Sequence, residues 1–309
     1  MALYTIKRIA AGVLSLFILA TATFFLTRMM PGSPFQSQNV SETVTEAVEE
    51  EYGLKKPLTE QYQVYLKNLL RGDFGVSYRN PSVTVAEVIS ERAPVTAALG
   101  LLSVAVAAVS GTLLGIWHAT SKRKAVRGLI SGLTLAGMAI PNFAVALLLL
   151  LVFGVTLKWF PVAGILSPAH YVLPVTALAV YPAAVVTKLT DNTFREELRK
   201  DYILLARAKG LPPWKIGMCH VMKNACIPVL NYLGPMSAFL MTGSFVVESI
   251  FTIPGLGREF VSSITDRDYT MILGLTVFMG GVVIAVNLVT DLLCAWLDPR
   301  MRRLYSEKR

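Results

Sequence analysis

Apolar stretches long enough to cross a bilayer alternate with polar segments along the whole chain. A transmembrane helix needs about 20 predominantly apolar residues, and six stretches approach or exceed that length. We predict six spans, at about residues 9–27, 94–117, 129–157, 172–190, 228–251 and 271–297. The predicted fold class is therefore an all-α polytopic membrane protein with six transmembrane helices. Residues 1–30 would form the first helix, residues 31–93 a polar insert, and residues 94–309 a core with the other five helices.

Residues 191–227 are the longest polar interruption in the second half of the chain, and they are strongly basic. The pattern predicts two helices separated by one turn. The first helix covers about residues 194–209, with Asn192 or Thr193 as its N-cap. Gly210 suits a left-handed C-cap, and Pro212 or Pro213 would open the second helix.

Helical spacing groups the apolar and basic residues of the first of these two helices. At helical spacing, four residues fall on one side of this helix: Tyr202, Leu205, Ala206 and Lys209. Leu204 and Ala208 lie beside them. Two interpretations remain open at this point. The segment is either a specific docking surface or an ordinary basic, partly helical loop of a membrane protein.

Charge is segregated by loop. The chain has a net charge of +9, a hydrophobic fraction of 54% and a mean hydropathy of +0.55. The strongly basic loops all fall on one side of a six-span topology, whereas residues 35–92 have an acidic excess. Because basic loops mark the cytoplasmic side, we predict that both termini are cytoplasmic and that the insert is extracytoplasmic. This segregation explains the positive charge through membrane topology, without nucleic acid.

The first apolar run lacks a clear cleavage site, which favours an uncleaved helix over a signal peptide.

Catalytic motifs are absent from the sequence. There is no G-x-x-x-x-G-K-[S/T] phosphate loop and no set of nucleophile, base and acid. The three cysteines have no metal-binding spacing, so we expect ordinary thiols, no metal site and no cofactor in this chain.

Two acids within predicted spans, Glu248 and Asp291, are few for a proton-driven transporter. Asn287 and Asp291 lie one turn apart and are interpreted as a structural pair that bonds across helices or to the adjacent loop.

Several motifs resemble those of ABC importer permeases, in the version of the oligopeptide/dipeptide/nickel family. Residues 201–210, DYILLARAKG, with residues 220–228, HVMKNACIP, resemble the EAA loop of that family. Similar matches occur at Pro31-Gly32-Ser33-Pro34, at residues 140–143, at residues 246–257 with 266–269, and at Asp298-Pro299-Arg300. Leu204 and Leu205 stand where many importers have Glu and Ala, so the charged contact of those importers is not expected here.

The resemblance implies the B-type permease subunit of an importer in the bacterial cytoplasmic membrane. Its expected partners are a second homologous permease, two ATP-binding subunits, an extracytoplasmic substrate-binding protein, membrane lipid and a peptide substrate. ATP and Mg would be bound by the partner ATPases, so this chain is not expected to be an enzyme. The EAA loop implies that seven residues couple to the ATPase: Tyr202, Leu205, Ala206, Ala208, Lys209, Gly210 and Leu211.

The pathway or gate candidates are Pro141, Asn142, Phe143 and Glu248. Proline inside a membrane helix frees a carbonyl and can kink the helix, either to shape the pathway or for structural reasons alone. A carboxylate within the bilayer is costly and needs a partner or water. Glu248 therefore lies either at a water-filled cavity or gate, or in a hydrogen-bonded structural clamp near the outer interface.

The sequence leaves alternatives open for the substrate class and for the energy source. Residues 31–35 and 232–238 are closer to the oligopeptide branch, and dipeptide, nickel and glutathione importers are the alternatives within the family. Outside the family, an ion-driven secondary transporter would need a gradient and no ATPase. A passive channel or a membrane scaffold would show no dependence on ATP.

Overall fold

The computed structural model describes residues 2–30, 50 and 53–297, with side chains from residue 5 to residue 294. β-Structure among these residues is confined to one isolated bridge between Val76 and Thr84. The helices are α1 (Ala2–Arg28), α2 (Leu58–Leu70), α3 (Val85–Thr120), α4 (Lys124–Ala139), α5 (Asn142–Leu149), α6 (Ala169–Glu197), α7 (Asp201–Ala208), α8 (Met222–Met241), α9 (Phe245–Ile250), α10 (Leu256–Thr265) and α11 (Tyr269–Leu297). Two π-helical stretches extend them: Leu150–Thr156 continues α5, and Ile216–Val221 joins the short helix Pro213–Lys215 to α8.

The predicted all-helical membrane fold is confirmed, but the count of six spans is not. Four helices within the described residues are long and apolar enough to cross a membrane: α1, α3, α6 and α11. The bent pair of α4 and the extended α5 would be a fifth. The predicted span at residues 228–251 is wrong in its bounds. Here α8 runs from Met222 to Met241, and the chain then leaves the helix through Gly243 at φ 102°.

The predicted start of the second span at residue 94 is also wrong, because α3 begins at Val85. Thr84 and Glu87 form a capping box in which each side chain meets the backbone N–H of the other residue. Pro94 lies inside the helix. The boundary expected between insert and core at residues 93 and 94 therefore falls within one continuous helix.

Small residues set the contact between α3 and α6. A Cβ atom on Gly111 would lie 2.7 Å from the carbonyl oxygen of Ala183, and one on Gly115 would lie 2.5 Å from the Cβ of Thr190. Only glycine permits the two backbones to approach this closely. The Gly111-x-x-x-Gly115 sequence is thus a helix-packing motif.

Helix α1 packs antiparallel against α11. Arg8 forms an ion pair of 3.1 Å with Asp291, and Gly12 lies against Ile284. At the opposite end of the pair, the guanidinium of Arg28 lies 5.3 Å from the ring centroid of Tyr269. Asp291 therefore bonds across helices, as predicted.

The described part of the insert is fixed to the loop between α10 and α11. Asp268 is 4% exposed and accepts hydrogen bonds from the Ser77 hydroxyl and from the backbone N–H of Tyr78 at 3.2 Å. Arg79 pairs with Asp266 at 2.7 Å. The Pro31-Gly32-Ser33-Pro34 turn and the Asp298-Pro299-Arg300 terminus lie outside the described residues.

Candidate functional site

The predicted helix at residues 194–209 is divided in the structure. Helix α6 continues to Glu197, and α7 begins at Asp201 after Lys200, which has an extended backbone with φ −77° and ψ 149°. The prediction of Asn192 or Thr193 as an N-cap is wrong, because both residues lie inside α6. The Thr193 hydroxyl donates to the carbonyl oxygen of Leu189 at 2.8 Å, four residues back, so it supports α6 instead of capping a new helix.

In the second half of residues 191–227, the structure confirms the predicted turn but not the predicted end of the polar segment. Gly210 has φ 75°, which confirms the left-handed turn, and Pro213 is the first residue of the next helix. Pro228 does not end the segment, because it lies inside α8. We call residues 191–227 the coupling segment. It therefore has no loop at its C-terminal end and continues through the π-helical stretch directly into α8.

Helix α7 buries one face against the ends of α6 and α8. Ile203 is fully buried and Ala206 is 5% exposed, and they pack with Phe194, Val221 and Ala225. This contact is apolar and closely packed. It fixes α7 to both helices, so a displacement of α7 is transmitted to the core.

A polar cluster around Glu197 reinforces this contact. Glu197 is 8% exposed, forms an ion pair with Lys200, and accepts hydrogen bonds from the Tyr202 hydroxyl and from Nδ2 of Asn224, the latter at 3.2 Å. Burial and the hydrogen bond to Glu197 raise the pKa of Tyr202, while the hydrogen bond to Glu197 raises the pKa of Lys200. The turn between α6 and α7 is thus connected to α8 through one carboxylate.

The opposite face of the segment is exposed and largely apolar. Leu204, Leu205, Trp214 and Met218 are 70%, 58%, 69% and 59% exposed. We define the coupling surface as these four residues with their exposed neighbours Ala208, Lys209 and Gly210. An exposed apolar patch on a fixed scaffold is typical of a protein interaction site.

The sequence-predicted coupling residues fall on both faces of this segment. Leu205, Ala208, Lys209 and Gly210 are exposed. Three others lie toward the core: Tyr202, Ala206 and Leu211. Sequence reasoning missed Trp214 and Met218 as surface residues. Their spacing of four residues is a helical signal, but the assignment of a face depended on a π-helical stretch that the sequence pattern did not reveal.

Glu248 is enclosed by hydrogen-bond donors. It lies in α9, is 1% exposed, and accepts from the Thr96 hydroxyl at 3.1 Å and from the backbone N–H of Arg258 at 2.9 Å. The Thr96 oxygen in turn accepts from the backbone N–H of Leu256 at 2.8 Å. The carboxylate therefore caps the N-terminus of α10, where the helix dipole favours negative charge. Of the two interpretations of Glu248, this geometry matches the structural clamp.

Glycine residues in the turns beside α9 leave space for the Glu248 carboxylate. A Cβ atom on Gly255 would lie 2.4 Å from Oε2 of Glu248, and one on Gly243 would lie 2.9 Å from Oε1. The turns on both sides of α9 therefore approach the carboxylate more closely than any other residue type would permit.

Pro141 marks a sharp break between α4 and α5. The two helices meet at 108°, so the bend predicted at Pro141 is a full break, and the pair forms either one broken span or a re-entrant loop. Pro141 has no N–H to donate, and Ile140 before it is extended at φ −84° and ψ 125°, which ends α4. Asn142 then begins α5, and Phe143 is 48% exposed on it. The hydrogen-bond donors of Glu248 lie on α3 and α10, and Ala146 of α5 belongs to the same buried apolar cluster as Val247 of α9.

Groups of three or more His, Cys, Asp or Glu side chains placed to hold a metal ion are absent from the described residues. The segment offers an exposed surface with large apolar side chains at one end of the helices, and Glu248 lies elsewhere in the core.

Comparison with known proteins identifies the family. Residues 111–303 match the model of the binding-protein-dependent transport system inner membrane component, and residues 1–100 match the N-terminal model of such membrane components. The dipeptide transport system permease protein DppB of Bacillus subtilis is 42% identical over 98% of both chains. The oligopeptide transport system permease protein OppB of Salmonella typhimurium is 36% identical over 97% of this chain and 99% of its own length.

Solved structures agree on the fold. An inward-facing MetNI methionine ABC transporter chain matches with a TM-score of 0.54 and 15% identity, over 68% of this chain and 96% of that one. A chain of an amino acid ABC transporter matches with a TM-score of 0.52 and 16% identity, over 70% and 94%. With both family models and full-length relatives in agreement, the chain belongs to the binding-protein-dependent transport system inner membrane components, the permease subunits of ABC importers.

Proposed function

We propose that this permease imports peptides, and oligopeptides in particular, as one half of a translocation pathway driven by partner ATPases. The observation that carries the proposal is the coupling surface: an exposed apolar patch on a short helix that is packed against the ends of two long core helices. The names of the two relatives support peptides as the substrate class.

In this proposal the coupling surface docks in a groove of an ATPase subunit. Closure of the ATPases on ATP displaces α7, and the Ile203 contact and the Glu197 cluster transmit the displacement to α6 and α8. The pathway then changes from inward-facing to outward-facing. The complex contains this chain, a second homologous permease, two ATPases and a substrate-binding protein, and both termini of this chain are cytoplasmic.

Dipeptides are the second candidate substrate. The higher identity to the dipeptide permease, 42% against 36% for the oligopeptide permease, favours them. Residues 31–35 and 232–238, which are closer to the oligopeptide branch, favour the longer peptides.

The test is to tag the chain, extract the complex gently and identify the proteins that co-purify. The complex is then reconstituted in vesicles, and uptake of dipeptides and pentapeptides is measured with and without ATP. We expect a second permease, two ATPases and ATP-dependent uptake of pentapeptides. Uptake of dipeptides alone would select the second candidate, uptake of nickel or glutathione would move the chain to another branch, and gradient-driven uptake without ATPases would refute the proposal.

A further inference from the structure

A cavity of about 450 Å³ with a mixed polar and apolar lining lies where the insert packs against α1 and α11. Three helices supply half of its lining residues, among them Phe24 and Arg28 from α1, Gln61 and Tyr65 from α2, and Thr270 and Leu273 from α11. This volume lies within the range of small-molecule binding sites. The cavity is remote from the coupling surface, which is formed by residues of α7 and the turn after it.

Three buried polar atoms belong to residues that line this cavity and have no hydrogen-bond partner among the described residues. They are Nε of Arg28, Oε1 of Gln61 and the hydroxyl oxygen of Tyr65. Buried polar atoms in proteins nearly always have a partner, and each exception requires an explanation. Three exceptions around one cavity indicate that water or a polar ligand occupies it.

The side chains that carry these atoms are held in place. The Arg28 guanidinium lies 5.3 Å from the ring centroids of both Phe24 and Tyr269. The Tyr65 ring stacks on Phe24 with a centroid distance of 5.4 Å. The amide nitrogen of Gln61 donates to the carbonyl oxygens of residues 54 and 56 at 2.9 and 2.8 Å, which leaves its Oε1 as an acceptor.

The cavity lies at the boundary of the apolar spans. Arg28 is the last residue of one candidate span and Tyr269 the first of another, while Arg8 and Asp291 pair at the opposite end of the same two helices. Lipid phosphates lie at such a boundary in a bilayer. The α1 surface beside the cavity is apolar and exposed, with Leu26 and Met29 at 63% and 78%, so acyl chains can lie against it.

The donors and acceptors of the cavity define the chemistry of the ligand. Arg28 and the Tyr65 hydroxyl both donate to an anionic oxygen, and burial raises the pKa of Tyr65 to about 12, so the phenol keeps its proton at neutral pH. Oε1 of Gln61 accepts from an N–H or O–H donor. The carboxylates of Glu50 and Asp73 line the same cavity together with the ammonium of Lys56. The complement is a phosphate joined to a primary ammonium.

We propose that this cavity binds the phosphoethanolamine headgroup of a membrane phospholipid. Arg28 and Tyr65 hold the phosphate, and Gln61 accepts from the ammonium. The lipid fills the space between the insert and the membrane core and completes the contact between them. Phosphatidylcholine has the same phosphate and the same net charge, but its quaternary ammonium has no N–H to donate, so it is the matched control ligand.

The experiment measures lipid retained by the purified complex, by native mass spectrometry after exchange into vesicles that contain equal amounts of the two lipids. We expect phosphatidylethanolamine to be retained about tenfold over phosphatidylcholine, as expected for a difference of one hydrogen bond to a charged group. Arg28→Gln and Tyr65→Phe should each lower the retention of both lipids, because both lipids carry the phosphate, and Tyr65→Phe keeps the ring stack intact. Arg71→Gln, which changes an exposed arginine at the end of α2 outside the cavity, should leave lipid retention unchanged.

Equal retention of both lipids by the unaltered complex would overturn the proposal, as would undiminished lipid retention in Tyr65→Phe. Soluble glycerophosphoethanolamine and a pentapeptide are added in separate arms. Displacement of the lipid by glycerophosphoethanolamine at equal concentration would assign the site to a soluble phosphate compound. Displacement by the peptide would assign it to the transported substrate, and either result would refute the lipid assignment.

Discussion

Replacement of Glu248 by glutamine tests whether the carboxylate acts as a clamp. The substitution keeps the volume of the side chain and removes its charge. The groups that contact the carboxylate include the Thr96 hydroxyl and the Arg258 N–H, and both donate to it. Glutamine has only one acceptor atom, so its NH₂ group faces either a backbone N–H that then has no acceptor, or the Thr96 hydroxyl, which must then stop donating.

The expected cost follows from that mismatch. A hydrogen bond to a charged group contributes about 1.5–3 kcal/mol, and loss of one with its partner left buried costs about the same. We therefore expect Glu248→Gln to lower the free energy of unfolding by about 2 kcal/mol. Glu248→Ala also leaves a cavity and more unpaired donors, so its cost should reach about 4 kcal/mol.

Thermal unfolding in detergent and peptide uptake in vesicles provide the measurements. We expect the Glu248→Gln complex to assemble, to unfold at a lower temperature, and to import peptide more slowly because α9 and α10 are less firmly held. Glu259→Gln is the matched control. Glu259 lies on the same α10 and pairs with Arg92 at 2.7 Å in a partly exposed position, where such a pair contributes about 0–1 kcal/mol. Unchanged stability and uptake in Glu248→Gln would refute the clamp.

Three further predictions concern the coupling segment and the helix contacts. Gly210→Trp should leave ATP hydrolysis intact and abolish uptake, because it places a bulky side chain on a backbone at φ 75° in the coupling surface; normal uptake per ATP would contradict the assignment. Leu205→Asp should reduce recovery of the ATPases in a pull-down by about tenfold, as expected for a charge in an apolar contact, whereas Lys7→Asp should not. Gly115→Leu should prevent stable expression, because its Cβ alone would meet Thr190 at 2.5 Å, whereas Gly128→Leu, with open space around it, should express normally.

Local signals in the sequence predicted the turn of the coupling segment but not the orientation of its helix. Gly210 and Pro213 have backbone preferences that decide their positions without tertiary contacts. Helix α7 has only eight residues, and a short periodic pattern groups Tyr202, Leu205, Ala206 and Lys209 on one side without saying which side faces the core. The structure buries Ile203 and exposes Leu205, because the packing of α6 and α8 selects the face and that selection is not encoded locally.

The helix boundaries, too, were only partly predictable from local sequence signals. The start of α3 was readable from Thr84 and Glu87, yet Pro94 was taken as the boundary because proline more often precedes a helix than lies inside one. The break at Pro141 was recognised as a bend, but its angle of 108° depends on how α4 and α5 pack against α6. The donors around Glu248 come from residues 96 and 258, which no local pattern connects.

The helical path from Pro213 to Met241 contains no turn, and a glycine with a left-handed backbone lies just beyond each end, Gly210 and Gly243. At about 1.5 Å per residue, this path is roughly 40 Å long. One end adjoins the coupling surface and the other leads into α9 and Glu248. In the proposed mechanism, this path would act as a single lever arm with the two glycines as its hinges, and a rotation imposed at the ATPase end would reach the clamp through Gly243.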